Sequence, residues 1–358
     1  MIKKFIRESV KNYLLNEIDW QDTFSDVQKT CVDPKEFADY LNRVKANADK
    51  DYGEREKFKT TQPYVHAKSR LFAGSKKKVN IDLFIKQITT QPKTLISQNE
   101  KMTKTGEANT FVYNTGIPAF RGIGYDIEKG KFYYINTCPG AGTCVKICYA
   151  LKGNYIRYPG AYDNMTRRLN LLLNNPDAFE EQLYNELKTK CENHKAIKGY
   201  KFRVSIRWND SGDFFSKKYV EIAHSVVDRL KKAGYNIEEF LHTKIASVAQ
   251  DPDFEVTSFS TGGNKKELAK IGPQQKISDV VGKALFAGLD LDKLSDIEKL
   301  KELLAMQIGV NKKLILTYDE LMQTPASKKP KWYTITMPGD GDDATRRKDV
   351  IRNFQTEH

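Results

Sequence analysis

Three of the five cysteines fall within eleven residues, in the run Cys138-Pro-Gly-Ala-Gly-Thr-Cys144-Val-Lys-Ile-Cys148-Tyr-Ala. Thiolates at this C-x5-C-x3-C spacing read as ligands for a soft metal centre, and Pro139, Gly140 and Gly142 permit the tight backbone that wraps three of them around one point. A structural zinc site takes four ligands, usually as two close pairs. Three close cysteines with no fourth beside them fit an iron–sulfur cluster better, 4Fe-4S foremost, with one iron left to another ligand. Cys191-Glu-Asn-His194 offers two candidates for that fourth position and, as a C-x2-H pair, keeps zinc open as the alternative. Three reduced thiols buried as small hydrophobes are the plain alternative, and the glycine–proline setting of the loop argues against it.

Two further runs carry polar chemistry. Asp210-Ser-Gly-Asp213 places two carboxylates after a strand-like run, where Asp213 could serve as acid or base, contact a polar substrate or hold a cation, with Asp210 beside it. Arg207 and Trp208 end that strand as neighbours for a ligand. The plain alternative makes Asp213 the cap of the following helix and Gly212 its turn. Ser260-Thr-Gly262-Gly263 also follows a strand. Its backbone N–H groups could cradle a carboxylate or phosphate, so Gly262 and Gly263 are cofactor-contact candidates alongside Tyr149; a simple turn is the competing reading. Gly339-Asp-Gly-Asp-Asp343 lacks the twelve-residue calcium-loop pattern and reads as a turn. His66, His224 and His242 are scattered and read as structural. No P-loop, nucleophile elbow or metalloprotease helix occurs.

From about residue 110 strand and helix signals alternate, which implies an α/β fold with a largely parallel sheet. Strand-like runs lie at 111–113, 132–136, 201–208, 239–243, 254–259, 314–317 and 332–336. Helices are expected at 163–174, 177–190, 217–232 and 297–306, with 343–354 closing the chain. A TIM-barrel-like or partial (β/α) barrel is the expected closure, and its strand ends would present the cysteine loop and both turns on one rim. Residues 1–60 read as a helical N-terminal region, from Ile2, Phe5, Ile6, Val10, Tyr13 and Leu14 and from a second stretch with Phe37, Leu41 and Val44 after Asp33-Pro34. Residues 61–109 form a basic connector with one short helix near 81–88, leaving 110–358 as the cluster-binding domain.

The chain has 358 residues, 39% hydrophobic and 29% charged, a globular composition rather than a disordered one. No apolar run nears the ~20 residues of a membrane span, and the N-terminus lacks a secretory apolar core. An odd cysteine count in a long chain fits a reducing cytoplasm, not a disulfide framework. The net charge is +13, and residues 57–104 hold eleven Lys or Arg against Asp82 and Glu100. Phe58, Tyr64, Phe72 and Phe84 lie among these charges, so the segment could follow a nucleic-acid backbone and stack on bases; a solvated linker is the alternative.

The run CPGAGTCVKICYALKGNYIRYPGAYDNMTRRLNLLLNNPDAF resembles the signature of the phage gene product 88 family, and RVSIRWNDSGDFFSKKYV resembles its second marker. GDGDDATRRKDVIRNFQTEH resembles a third. The resemblance implies a bacteriophage origin and a cysteine-bound cluster; with the reducing compartment that the cysteine count indicates, the expected location is the host cytoplasm. A more distant likeness is to radical S-adenosylmethionine enzymes, which hold a cluster on three cysteines after a barrel strand and leave one iron for S-adenosylmethionine. Their spacing is C-x3-C-x2-C with an aromatic residue before the last cysteine; here Ile147 takes that place and Tyr149 follows. Three functions are therefore expected: a redox or radical-type enzyme on an unknown substrate, with a small molecule or a host component as partner; a zinc-binding, nucleic-acid-associated non-catalytic protein; and a virion or assembly component with a structural metal.

Overall fold

In the computed structural model the described residues are 29–32, 35–39, 42, 80–98, 109–148, 150, 159–272, 275–281, 283–325, 332–336 and 343–356. A small antiparallel sheet holds β1 (Lys29–Val32), β3 (Arg121–Asp126) and β4 (Lys131–Asn136) in the order β1-β4-β3. A larger sheet holds β2 (Thr110–Asn114), β5 (Arg203–Trp208), β6 (Ile237–Thr243), β7 (Thr257–Ser260), β8 (Ile277–Val281), β9 (Ile315–Thr317), β10 (Trp332–Thr336) and β11 (Val350–Thr356). Its order is β2-β5-β6-β7-β8-β11-β10-β9, and all its pairings are parallel.

The parallel ladder follows from the residue types. Parallel strands covered on both faces need near-continuous apolar runs, and β5 is buried from Val204 through Trp208. The helices that cover it carry matching stripes. In α4 (Pro176–Asn193) Phe179, Leu183, Leu187 and Cys191 recur every four residues and are buried; Asn175 caps the start by accepting from the Ala178 N–H at 3.1 Å. In α5 (Lys217–Lys232) Tyr219, Ala223, Val226 and Leu230 face the sheet and Ser216 caps it, accepting from the Tyr219 N–H at 3.2 Å. Both helices close over the main core, which includes Trp208, Phe214, Leu241 and Phe254.

The edge of β3 is covered by side chains of α3 (Pro159–Asn174). Asn170 accepts from the Tyr125 N–H at 2.8 Å and donates to Ile123 O at 2.9 Å; Asn174 accepts from the Ile127 N–H at 3.1 Å and donates to Tyr125 O at 3.0 Å. Two primary amides one helical turn apart thus act as a strand and satisfy an exposed edge. The other face of the small sheet packs Ile123 and Phe132 on Phe37 and on Phe84 and Ile88 of α1 (Ile81–Thr89).

Several expectations change. Among the described residues no ladder joins β2 to β9, so the sheet has two edges and the expected barrel has no closing pair. The β2 edge is instead bridged antiparallel by Ser97, whose N–H donates to Asn114 O at 2.8 Å and whose carbonyl accepts in return at 2.8 Å. The closing helix expected at 343–354 is a short α7 (Asp343–Arg346) followed by β11, which inserts parallel between β8 and β10. Val350 and Phe354 supply apolar contacts there, and pairing on both sides outweighs the weak helical pattern. Between β8 and β9 lies α6 (Leu294–Ile308), ended by Gly309 at φ 71°. Within the stretch read as wholly helical, residues 29–32 are a strand and 35–39 are helical with Phe37 buried; the residues of the first predicted helix, together with Leu41 and Val44, lie outside the described residues. Among the described residues no helix is long and apolar enough to cross a membrane.

Candidate functional site

The strand ends that carry the sequence candidates meet at one place. β4 ends at Asn136, and the cysteine loop leaves it toward the carboxyl ends of β5, β6 and β7. Asn136 Oδ1 accepts from the Cys138 N–H at 3.2 Å, and the Phe120 N–H donates to Cys138 Sγ at 3.2 Å. The loop then docks on the turn after β7: the Gly142 and Cys144 N–H groups both donate to Gly262 O, at 3.1 and 3.2 Å, and the Asn264 N–H donates to Gly140 O at 2.9 Å. Glycine is required for this approach. A Cβ on Gly142 would lie 2.3 Å from Gly263 O, one on Gly140 would lie 2.1 Å from Lys244 O, and one on Gly262 would lie 2.8 Å from the Cys144 Cβ. Cys144 opens the short helix α2 (Cys144–Ile147), and all three cysteines are partly buried.

Asp213 ties this loop to the sheet from below. Its N–H donates to Thr137 O at 2.9 Å, and its carboxylate accepts from Phe214 N–H (2.8 Å), Thr243 Oγ1 (2.8 Å) and Lys244 N–H (2.9 Å). Burial raises the Asp213 pKa, although the Lys244 charge and these donors pull against it. Gly212, at φ 80°, makes the turn. The helix cap is Ser216, so Asp213 braces two loops and does not cap α5. Asp210 lies one loop away, accepting from Asn114 Nδ2, with its Oδ1 only 2.2 Å from where a Gly116 Cβ would sit. Trp208 is fully buried and donates from Nε1 to Glu239 Oε2 at 2.7 Å, so it belongs to the core and does not line a ligand site. Arg207 is also buried.

Lys244 was not legible as a site residue from sequence. It follows β6 directly, and its ammonium is within electrostatic reach of Asp213, Cys138, Cys144 and Cys148. Burial alone would depress it, yet its electrostatic neighbours, the Asp213 carboxylate foremost, outweigh burial and hold its pKa above the ordinary lysine value. Burial pushes the Cys138 thiol up to about 12, with nearby Asp213 adding to the effect. As an isolated group it is a thiol at neutral pH, and a bound cation would be needed to ionise it. The sequence signal for Lys244 is modest: it is the residue immediately after a parallel strand, where α/β folds place functional groups.

The other candidates lie elsewhere. Cys191 is fully buried in the main core near the end of α4, with its pKa pushed up to about 12 by burial. His194 stacks on Phe111 at 3.6 Å between ring centroids and bonds through Nε2 to Tyr113 Oη at 2.7 Å. Both precede the start of β5, at the amino end of the sheet, whereas the cysteine loop lies at the carboxyl ends of the strands. Tyr149, His66 and residues 339–342 lie outside the described residues, as does most of the basic stretch. Phe84 of that stretch is fully buried in the small core and is unavailable for stacking on bases. The N–H groups of Thr261 and Gly263 donate to Ser278 O and Ser260 O, and Gly262 O receives the cysteine loop, so the turn after β7 is a docking surface for that loop.

A single tetrahedral zinc with Zn–S of ~2.3 Å holds its sulfurs ~3.8 Å apart. The sulfurs of Cys138, Cys144 and Cys148 are not all within 4.8 Å of one another. Among the described residues a set that close is His224, Asp251 and Asp253, where His224 Nε2 pairs with Asp251 Oδ2 at 2.9 Å against the Phe254 ring. That arrangement matches the structural reading of His224.

The whole constellation, from Cys138 to Asn264, lies inside one recognisable stretch of sequence. Comparison with curated proteins and with solved structures returns no match. The sequence model described as gene product 88 matches residues 93–285, more than half of the 358 residues, and the chain belongs to the gene product 88 family.

Proposed function

We propose that this protein binds an iron–sulfur cluster, 4Fe-4S in type, through Cys138, Cys144 and Cys148. The observation that carries the reading is the seating of three cysteines on one glycine-locked loop at the carboxyl edge of a parallel sheet, with Lys244 within electrostatic reach. A thiolate-bound cluster is an anion, and an ammonium within electrostatic reach offsets its charge. Three close cysteines in sequence without a fourth beside them favour a cluster over the four-ligand zinc alternative. When bound, such a cluster supplies one-electron transfer and, at an iron without a cysteine, a Lewis-acid position for a small molecule such as S-adenosylmethionine.

The chain's own residues have definite parts in this reading. Cys138 is positioned by the Asn136 side chain and the Phe120 N–H, and Cys144 by Gly262. Asp213 keeps the β5 and β6 loops at fixed distance beneath them, and with three hydrogen bonds on its carboxylate it acts as a brace. The protein is then a phage-encoded component of the host cytoplasm with a redox role. Replacing Cys138, Cys144 or Cys148 singly by serine is expected to abolish iron binding and lower the melting temperature of the anaerobically purified protein, because ligation is coupled to folding. Cys191→Ala and His194→Ala are expected to keep the iron. Full iron content in all three serine variants would remove the proposal.

A further inference from the structure

A second group of ligating side chains lies away from the cysteine loop, between α5 and the loop that enters the amino end of β7. His224 stands mid-helix in α5, and Asp251 and Asp253 follow the single helical turn Ala246–Ala249. His224 Nε2 meets Asp251 Oδ2 at 2.9 Å, and one donor atom from each of the three residues lies within 4.8 Å of the others. The donors are held in place by their surroundings. Asp251 Oδ1 accepts from the Asp253 N–H at 2.9 Å, a local turn that leaves Oδ2 to face His224. Gln250 anchors the same loop, donating from Nε2 to Lys270 O at 2.8 Å. The imidazole packs on the Phe254 ring at 4.3 Å between centroids, and Phe254 packs in turn on Phe214 of the main core at 5.2 Å. His224 and Asp251 are buried and Asp253 is half-buried, so the group opens to solvent on the Asp253 side.

We propose that His224, Asp251 and Asp253 bind a divalent first-row transition ion, which clamps α5 to the loop before β7. Donors bound to one ion at ~2.1 Å lie ~3.0–3.4 Å apart when adjacent and ~4.2 Å apart when opposite. The 2.9 Å pair already has the adjacent spacing, and a small side-chain rotation brings the third donor in. Charge points the same way. A proton on His224 offsets one of the two carboxylates, whereas a divalent ion offsets both and leaves the imidazole neutral, the form that ligates. One nitrogen with two carboxylate oxygens suits manganese, iron or zinc; calcium and magnesium take all-oxygen shells, and copper(I) takes sulfur.

The test is an electron paramagnetic resonance titration of manganese(II) into tag-free full-length protein passed over a chelating resin, because the sharp signal of the free ion disappears on binding. Manganese prefers carboxylate oxygen to thiolate sulfur, so it reads this site and not the cysteines. Wild-type protein is expected to take up one ion per chain saturably, and Asp253→Ala and His224→Gln are expected to weaken that uptake by at least about tenfold. Asp253 is half-buried and outside the apolar core, so Asp253→Ala is expected to keep the wild-type circular dichroism and carries the test if His224→Gln does not fold. Asp292→Ala, at an exposed carboxylate between β8 and α6, is expected to bind as wild type does. Saturating manganese should raise the melting temperature of the wild type and leave that of Asp253→Ala unchanged, because the three ligands come together only in the folded chain. No saturable uptake by the wild type, or affinity within about twofold of wild type in the folded ligand variants, would overturn the site.

Discussion

Replacing Gly142 by alanine is the sharpest structural perturbation available at the cysteine loop. The added Cβ would stand 2.3 Å from Gly263 O, 2.5 Å from Gly263 C and 2.7 Å from Asn264 N, all main-chain atoms that cannot rotate away. Comfortable carbon contacts begin at about 3.5 Å, so the two backbones must part by about 1 Å. That movement breaks three bonds between the loops: Gly142 N–H and Cys144 N–H to Gly262 O, and Asn264 N–H to Gly140 O. At about 1 kcal/mol net for each, the loss is about 3 kcal/mol. Urea denaturation followed by circular dichroism should show that loss, and iron per chain should fall with it, because Cys144 is carried away from its partners. Gly160→Ala is the control: its Cβ meets nothing within 4 Å and its position is helical, so it should be neutral or stabilising by up to about 1 kcal/mol. A Gly142→Ala protein with wild-type midpoint and wild-type iron would refute the claim that the two loops are locked at van der Waals limits.

Further outcomes follow from groups away from the loop. Burial raises the Glu239 pKa from 4.5 to about 7 against the opposing Trp208 hydrogen bond. The folded state therefore binds the extra proton, and stability should decline as pH rises from about 4.5 to 7, by about 3 kcal/mol in all. Glu239→Gln keeps an acceptor for Trp208 and should flatten that slope in pH-dependent melting; an unchanged slope would contradict the assignment. Asn170→Leu removes both strand-mimicking bonds to β3 and should cost about 2–4 kcal/mol in denaturant unfolding, whereas Asn185→Leu on the exposed face of α4 should cost under about 1 kcal/mol. Arg347→Met removes the two hydrogen bonds to Asp349, fully buried and held by Nε at 2.9 Å and Nη2 at 2.6 Å; with the Lys276 charge still near that carboxylate, the loss should destabilise by about 2–4 kcal/mol in the same assay.

How far the fold could be read from sequence depended on local pattern strength. α5 was legible to the residue because its apolar stripe is strong, although its cap is Ser216 and not the Asp213 that the motif offered, and β10 because Trp332–Thr336 is uniformly strand-forming. β3, in contrast, contains Gly122 and Gly124 and is held by the amides of Asn170 and Asn174 from a distant helix, which no local window reveals. β11 exists because β8 and β10 leave a place between them, again a nonlocal cause. The site shows the same division. Cys138, Cys144, Asp213 and Gly262 were visible as motifs at strand ends, and parallel topology brings strand ends together. Lys244 carries no motif, and its position became meaningful only once β6 was seen between β5 and β7. Cys191 and His194 looked like ligands by spacing, but the end of α4 directs them to the opposite edge of the sheet, where a core position and an aromatic stack absorb them.

On the proposed reading the three-cysteine loop holds an iron–sulfur cluster. Its most direct test is iron, zinc and acid-labile sulfide analysis, with the visible absorption spectrum, on full-length protein purified without oxygen. Iron and sulfide are expected at about four each per chain, with broad visible absorption that bleaches with dithionite. One zinc with no sulfide, or neither metal nor sulfide, would contradict it.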